Sequence, residues 1–524
     1  MNLQYLRKIR IYFALVYFLL LTFMFLDFRN LFPVISINIL HYLQFVPSFF
    51  KFINVLGFAA TGFIIVLLFT YLFGRVYCSF FCPLGILQDL VSRFSKWAHK
   101  KKKYTFTKSL NWLRYAILVI TILVLLSGSI LLVNLLDPFG IFGRITVNLF
   151  RPVFIAMNNL LVNILESFNS YLIFPYDVLH YSWISIAISF VFLVFIVWMA
   201  YKRGRLYCNT VCPVGALLSL LSRYSLLKIR MNELACTGCG LCEKDCKAEC
   251  IDTENRWVDM SRCINCFNCF KACPEKGFEY SISHHIASKS NTHKISTSRR
   301  KFFLSITTAL IGLTSIARAQ IAKVIPDVKN TALIPEEKEF PVAPPGSISI
   351  DHFNSTCTAC HLCIIECPAQ VLQPSLTSYG LKGLLQPRMD YQTSYCNYDC
   401  TICTEVCPSG ALLKQSVDEK HTTQLGKAVF IKKNCIVFTE DTDCGACSEH
   451  CPTKAVDMVS FRSNLHIPDV DTDICVGCGA CENICPTTPY KAIYVNGNPI
   501  HLRVEKPVEE EIEEKEILEE DFPF

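Results

Sequence analysis

The chain has 524 residues, of which 52 % are hydrophobic and 18 % charged, so it is long enough for several units and predicts membrane segments. Residues 1–320 hold 34 Lys and Arg against 14 Asp and Glu, a balance of +20, whereas residues 321–524 hold 16 against 30, a balance of −14. The basic residues flank apolar segments and form no separate patch, which argues against a nucleic-acid partner. Basic loops stay on the cytoplasmic side of membranes, so the asymmetry predicts a membrane boundary near residue 300.

Four long apolar stretches with almost no charge predict membrane-spanning helices: 11–28, 53–73, 112–136 and 183–200. Each approaches or exceeds the ~20 residues that a helix needs to cross a bilayer. Basic clusters precede the first stretch, separate the second from the third and follow the fourth, whereas the loops 29–52 and 137–182 carry little charge. By the positive-inside rule, both ends of a four-helix membrane block at residues 1–225 face the cytoplasm.

This block contains an internal repeat, in which GRVYCSFFCPLGILQDLVSR (74–93) aligns with GRLYCNTVCPVGALLSLLSR (204–223). Each copy follows an even-numbered predicted span, which indicates two parallel helix pairs with equivalent cysteines. Four converging thiols can bind a metal or cluster, or act as a redox dithiol pair: Cys78, Cys82, Cys208 and Cys212. In the structural alternative, Pro83 and Pro213 shape a helix-entry turn and the thiols only pack.

Two cysteine runs, at 236–246 and 263–274, have the spacing C-x2-C-x2-C-x3-C that is typical of a bacterial two-cluster ferredoxin. In that pattern the fourth cysteine of each run binds the other cluster. The predicted ligand sets are Cys236, Cys239, Cys242 and Cys273 for one cluster, and Cys263, Cys266, Cys269 and Cys246 for the other. Zinc is disfavoured, because structural zinc sites usually pair separated ligand couples. We therefore predict a cytoplasmic ferredoxin domain at 226–280, with Cys250 as a bystander.

Residues 281–297 are polar and predict a linker, although three histidines leave a metal site as the alternative: His284, His285 and His293. The next stretch, SRRKFFLSITTALIGLTSIARA, has paired arginines, a short apolar run and an Ala-x-Ala end, as twin-arginine export signals do. Residues 298–320 are therefore predicted to be an internal export signal or, if uncut, a fifth span. A Pro-rich linker is expected at 321–350.

Four further cysteine ladders, each ending in Cys-Pro, predict a periplasmic four-cluster domain at 351–500. They are Cys357, Cys360, Cys363 and Cys367; Cys396, Cys400, Cys403 and Cys407; Cys435, Cys444, Cys447 and Cys451; and Cys475, Cys478, Cys481 and Cys485. Irregular first gaps leave the ligand roles of Cys396 and Cys435 open. We expect nested ligand exchange, first ladder with fourth and second with third, with adjacent pairing as the alternative. The Glu-rich tail at 501–524 predicts a solvated end, or else a docking surface for a basic partner.

The cysteine count agrees with six 4Fe-4S clusters. Of 29 cysteines, 24 remain once the four of the repeat and Cys250 are set aside, and six clusters need 24 ligands. Disulfides are disfavoured as the main use, because the close spacing within each ladder suits a cluster better than separate bridges.

Two family resemblances follow from these motifs. Residues 1–280, with their spans, twin GRxYCxxxCPxG repeats, two-cluster ferredoxin and the sequence LDPFGIFGR at 136–144, resemble the membrane quinol dehydrogenase component of periplasmic nitrate reductase systems. Residues 298–500 resemble the exported ferredoxin-type component of the same systems, and are similar to the polyferredoxin of methylamine utilisation. The expected fold is thus a membrane α-helical bundle fused to α+β bacterial-type ferredoxin domains.

The resemblance implies an inner-membrane conduit that takes electrons from the quinone pool of the lipid bilayer to a periplasmic terminal reductase or c-type cytochrome. The twin-arginine translocase would export the C-terminal domain. No motif identifies a quinone site, but four polar residues near the outer interface are candidates: Asp137, Arg144, His41 and His180. Interfacial anchoring is the alternative for them.

Two other functions compete with this interpretation. One is an assembly or regulatory protein for cytochrome oxidase or nitrous oxide reductase, and the other is a cytoplasmic ferredoxin-linked reductase component. A nucleotide- or flavin-dependent enzyme is disfavoured, because the sequence has neither a Walker loop nor a strand–GxGxxG–helix unit.

Export of the C-terminal domain is testable in spheroplasts. Protease added outside should digest residues 351–500 and spare residues 226–280, as followed by immunoblotting with domain-specific antibodies. Full protection of both segments in intact spheroplasts, with digestion of both after lysis, would contradict export.

Overall fold

The structure is a computed structural model that describes residues 4–55, 57, 61–98, 104–179, 182–282, 333–462 and 464–505. The predicted export signal at 298–320, nearly all of the predicted linker at 281–297 and most of the acidic tail lie outside these residues. So does the quinone candidate His180. The described parts of residues 1–283 and 335–524 form one compact unit.

Residues 4–225 form a helical block. Its helices are α1 (Gln4–Leu26), α2 (Val34–Tyr42), α3 (Phe45–Val55), α4 (Gly62–Phe73), α5 (Tyr77–Phe80), α6 (Pro83–Ala98), α7 (Asn111–Leu126), α8 (Leu131–Leu136), α9 (Pro138–Ile145), a π-helical turn (Thr146–Phe150), α10 (Arg151–Ser167), α11 (Trp183–Arg203), α12 (Leu206–Thr210) and α13 (Pro213–Ser222). Among the described residues, three helical segments are long and apolar enough to cross a membrane: Tyr5–Leu26, Pro138–Ser167 and Trp183–Arg203.

The first and last of these segments coincide with the first and fourth predicted spans, but the two predicted spans between them are wrong as continuous helices. Helix α3 ends at Val55, and α4 has only 12 residues. The stretch 112–136 is divided between α7 and α8, because Gly128 takes a φ of 79° that ends the helical path.

The stretch 137–182, expected as a charge-poor loop, instead begins with the third long apolar segment. The Asp137 side chain accepts a hydrogen bond from Gly140 N at 2.7 Å and so caps α9, whose first residue is Pro138. This start signal follows the predicted span directly, which is why hydropathy alone did not separate the two helices.

The first ferredoxin domain, residues 226–282, has two small antiparallel sheets around short helices. Strand β1 (Leu227–Met231) pairs with β4 (Phe278–Ile282), and β2 (Ile251–Asp252) pairs with β3 (Trp257–Val258). The helices between them are Leu241–Asp245 and Asn268–Ala272.

The second ferredoxin domain, described at residues 333–462 and 464–505, is larger and contains three antiparallel strand pairs. These are β5 (Leu372–Pro374) with β6 (Pro387–Met389), β7 (Thr423–Phe430) with β10 (Ile493–Arg503), and β8 (Val456–Arg462) with β9 (Leu465–Val470). Short helices lie at Ile350–Thr356, Leu362–Ile365, Leu381–Gly383, Ile402–Glu405, Val417–His421, Lys432–Asn434, Ile436–Thr439, Ala446–Glu449 and Ala480–Ile484.

The two ferredoxin domains pack on opposite ends of the helical block. Helix α1, which at 23 residues is about 34 Å long, connects them. Near its start, Arg7 Nε donates to Asn268 Oδ1 of the first domain at 3.1 Å. Near its end, Phe25 lies in one buried cluster with Leu362 of the second domain. A helical membrane part and α+β ferredoxin domains therefore make up this unit.

A buried ion-pair group holds the first ferredoxin domain to the block. Asp89 of α6 pairs with Arg205 Nε at 2.8 Å, with Lys247 Nζ at 3.5 Å, and with Arg10 of α1. Burial disfavours the charged carboxylate, but Arg205, Lys247 and Arg10 hold the pKa of Asp89 well below its usual range.

The variant Asp89→Asn should therefore lose about 3–5 kcal/mol of stability, because three buried cations would lose their counter-ion. The loss is measured as a lowered thermal midpoint of the detergent-solubilised protein. Glu254→Gln, the same change at an exposed position, should leave the midpoint unchanged. Equal midpoints for both variants would contradict this role of Asp89.

Candidate metal centres

The first ferredoxin domain contains two neighbouring groups of cysteines. Cys242 interacts with Cys239 and Cys273 of its own predicted set. The four thiols of the other predicted set line one small cavity: Cys246, Cys263, Cys266 and Cys269.

Cys250, expected as a bystander, lies at the same cavity. It is buried, and its Sγ is 3.5 Å from Cys246 Sγ. The ladder spacing did not signal this position, because the contact depends on the turn between the ladder and strand β2. Cys250 is thus a neighbour of the ligand set.

In the second ferredoxin domain the nested ligand exchange expected from the sequence is wrong, and adjacent ladders exchange their last cysteines. Cys407 lies with the first ladder, beside Cys357, Cys360 and Cys363. Conversely, the last cysteine of the first ladder lines a small cavity with three cysteines of the second: Cys367, Cys396, Cys400 and Cys403.

The third and fourth ladders are related in the same way. A small cavity is lined by Cys435, Cys444, Cys447 and Cys485. The remaining cysteines, Cys451, Cys475, Cys478 and Cys481, neighbour one another. The helix Ile436–Thr439 fills the long gap after Cys435, so this irregular spacing reflects a local insertion and does not mark a nested partner.

The donor chemistry of these groups fits iron–sulfur clusters. Burial, reinforced by the neighbouring thiols, raises the pKa of Cys363 and of Cys481 well above the ordinary range. Several buried thiolates can coexist only beside a cationic core, which is what iron supplies. Among the described residues, no group of three or more His, Cys, Asp or Glu side chains is close enough to hold a single metal ion. The thiols instead surround cavities.

The repeat brings four further cysteines together inside the helical block. Cys78, Cys82, Cys208 and Cys212 are all buried and interact with one another; we call them the four-cysteine centre. Their surroundings follow the symmetry of the repeat. Gly85 N donates to Cys82 Sγ at 3.4 Å, and Gly215 N donates to Cys212 Sγ at 3.3 Å.

Two fully buried arginines cross between the halves of the repeat. Arg75 Nη2 donates to Cys208 O at 3.0 Å and lies 3.8 Å from Cys78 Sγ. Arg205 Nη1 donates to Cys78 O at 2.7 Å and lies 3.9 Å from Cys208 Sγ. Two guanidinium groups thus lie within hydrogen-bonding reach of two of the four sulfurs, which distinguishes this site from purely apolar packing. The alignment of the repeat identified these arginines, but it did not show that each one binds a backbone carbonyl of the other copy.

The four-cysteine centre lies between the two ferredoxin domains. On one side, Arg75 Nη1 donates to the carbonyl of Ser261, two residues before Cys263, at 3.2 Å. On the other side, Tyr207 OH donates to Leu136 O at 2.8 Å. Leu136 directly precedes Asp137, the N-cap of α9. Hydrogen bonds therefore link the surroundings of the four-cysteine centre to the start of α9.

The quinone candidates of the sequence are not equivalent. Asp137 and Arg144 are buried, and both have structural partners: Asp137 caps α9, and Arg144 Nη1 donates to Ala359 O at 3.1 Å. His41 instead lines a cavity of about 760 Å³ between α2, α3 and the second ferredoxin domain.

Comparison with known families agrees with this chemistry. The family described as "4Fe-4S binding domain" matches residues 55–104 and 184–232, and the family described as "4Fe-4S dicluster domain" matches residues 442–488. The first match covers both copies of the repeat, including the cysteines of the four-cysteine centre. No solved structure matches the chain.

Three curated relatives carry the comparison further. An uncharacterized protein of Methanocaldococcus jannaschii is 26 % identical over 223 residues, which is 42 % of this chain and 69 % of that protein. The methylamine utilization ferredoxin-type protein MauN of Methylobacillus flagellatus is 28 % identical over 191 residues, 36 % of this chain and 54 % of that protein. The ferredoxin-type protein NapG of Escherichia coli is 31 % identical over 146 residues, 26 % of this chain and 61 % of that protein.

The chain carries ferredoxin-type 4Fe-4S domains. As an iron–sulfur electron-transfer protein it is related to the Nap and Mau ferredoxin-type components. Because the chain spans less than two thirds of MauN and of NapG, its own substrates and partners are a matter for proposal.

Iron analysis of this ferredoxin-type protein tests the four-cysteine centre. Six ladder clusters correspond to about 24 iron atoms per chain, and a seventh cluster at the centre would give about 28. Replacing all four cysteines of the centre by serine should then remove about four. The control Leu172→Ser, at an exposed position away from every cysteine group, should retain the full number. Identical iron content in the parent and the fourfold variant would contradict a cluster there and favour a dithiol pair.

Proposed function

We propose that this protein is a membrane-bound electron conduit that takes electrons from quinol and passes them to a periplasmic reductase of the nitrate reductase type. The observation that carries the proposal is the direct packing of the second ferredoxin domain on the helical block. Phe139 and Phe142 of α9 share one buried cluster with Cys360 and Leu362. Electrons that leave the membrane part can therefore enter a cysteine ladder without a diffusing carrier.

In this proposal the 24 ladder cysteines hold six 4Fe-4S clusters, which accept and release one electron each when bound. Four clusters belong to the second ferredoxin domain and two to the first. The adjacent exchange of ligands makes two ladder pairs in the second domain, and the first of them lies beside the helical block. The protein's contribution is to hold each thiol set in a buried place between the quinone and the acceptor.

The charge distribution supports this orientation. The balance of +20 over residues 1–320 and −14 over residues 321–524 suits a cytoplasmic first domain and an exported second domain. The twin-arginine motif at 299–300 suits export after the clusters have been inserted. The acceptor is a periplasmic reductase or a c-type cytochrome that docks on the second domain.

The proposal predicts that quinol reduces the protein. Purified protein in lipid nanodiscs is oxidised and then mixed with menaquinol or ubiquinol under anaerobic conditions. The visible absorbance of oxidised clusters should fall, and electron paramagnetic resonance should show reduced clusters. Dithionite supplies the full extent of reduction as the control. Protein that dithionite reduces but neither quinol does would defeat the proposed function.

A further inference from the structure

A cavity between the helical block and the second ferredoxin domain is unexplained by the cluster ligands. It measures about 760 Å³, within the range of small-molecule sites. One wall comes from α2 and α3, and the other from the segment 404–414 of the second ferredoxin domain. We call it the interdomain cavity.

Its wall holds an unsatisfied polar group. His41 of α2 is only 3 % exposed, and its Nδ1 makes no hydrogen bond of ordinary geometry although the Ile37 carbonyl is near the ring. A buried nitrogen without a partner costs free energy, so a ligand that supplies a hydroxyl or carbonyl oxygen would be favoured.

Lys51 of α3 contributes a positive charge to the same wall. It lines the cavity and interacts electrostatically with Cys407. Most of the lining surface is apolar, although Asn38, Glu405 and Lys414 also lie on the wall with His41 and Lys51. Polar atoms on an apolar ring, as in a quinol headgroup, match such a lining.

The cavity is bordered by apolar side chains that protein does not cover. Ile35 and Ile39 of α2 are 74 % and 69 % exposed, and both line the cavity. In a protein with membrane helices, exposed isoleucines of this kind can contact lipid tails. A ligand with an isoprenoid chain could therefore enter the cavity from the lipid. A water-soluble ligand would need no such border.

A cysteine of the first cluster set forms part of the opposite wall. Cys407 lines the cavity and lies with Cys357, Cys360 and Cys363. Gly410 of this wall takes a φ of 72°, a backbone conformation that favours glycine, and it lies against Val55 and Lys51 of α3. An occupant would therefore lie beside a predicted electron acceptor.

We infer that the interdomain cavity binds the headgroup of a lipid-soluble quinol, between His41 and Lys51 and beside Cys407. The inference rests on the proposed function and gives it a site. Oxidation of one quinol breaks its two O–H bonds, releases two protons to solvent, and passes two electrons singly to two oxidised clusters. The first acceptor would be the cluster that Cys407 and three cysteines of the first ladder would hold at the cavity wall. The second would be the cluster that Cys367 and three cysteines of the second ladder would hold.

The test compares two variants of the cavity with matched controls in the full-length protein. Ile39→Trp fills the cavity, and His41→Ala removes the hydrogen-bonding ring. Leu160→Trp, on the exposed surface of α10, and His466→Ala, on β9, make the same changes outside it. Quinol should reduce both cavity variants at least about tenfold more slowly than the controls, while dithionite reduction and iron content stay at the parent values.

A second readout does not depend on turnover. A photoreactive azidoquinone in nanodiscs should label peptides from residues 34–55 or 404–414 of the parent protein, and Ile39→Trp should reduce that labelling. If Ile39→Trp loses iron, Ile35→Trp at the border replaces it.

The outcomes separate the site from the function. A parent protein that quinol does not reduce overturns the proposed function. A parent protein that quinol reduces, with cavity variants as fast as the controls or with labelling confined to other peptides, overturns this site and leaves the function standing.

Discussion

Two buried guanidinium groups hold the centre of the helical block together. Arg75 binds the Cys208 carbonyl and Arg205 binds the Cys78 carbonyl, so each half of the repeat satisfies a charge of the other. Arginine stays protonated in proteins, and a buried charge without partners is strongly unfavourable. Neither half can therefore bury its arginine alone. The four cysteines are gathered as a consequence of this exchange.

The same interaction occurs where the helical block contacts each ferredoxin domain. At both contacts, a buried arginine donates to a backbone carbonyl close to a cysteine ladder. Arg75 also binds Ser261 O before Cys263, and Arg144 binds Ala359 O directly before Cys360. Glycines make room for the crossing, because a Cβ on Gly85 would lie 2.5 Å from Cys78 O. The helical block thus positions both ferredoxin domains through the backbone of their ligand loops.

Hydropathy was a good guide where a helix is long and uninterrupted, as in α1 and α11, and failed where local signals divide an apolar run. Gly128 and the Asp137–Pro138 cap lie inside or next to such runs, and the window average does not register them. The sequence marked His41 as a quinone candidate, because it lies near the predicted outer interface. It did not indicate that Lys51 or the segment around Cys407 would line a cavity.

The sequence by itself determined the cysteine ladders, the ligand grouping of the first ferredoxin domain and the pairing of the repeat, because short spacings restrict which thiols a loop can bring together. Only the tertiary structure decided which ladders of the second domain exchange ligands, and that this domain packs on the helical block. The interdomain cavity likewise depends on segments far apart in the chain, as the hydrogen bond between Asn38 and Glu405 O across 367 positions shows. Such contacts follow from the packing of whole domains, which local spacing does not encode.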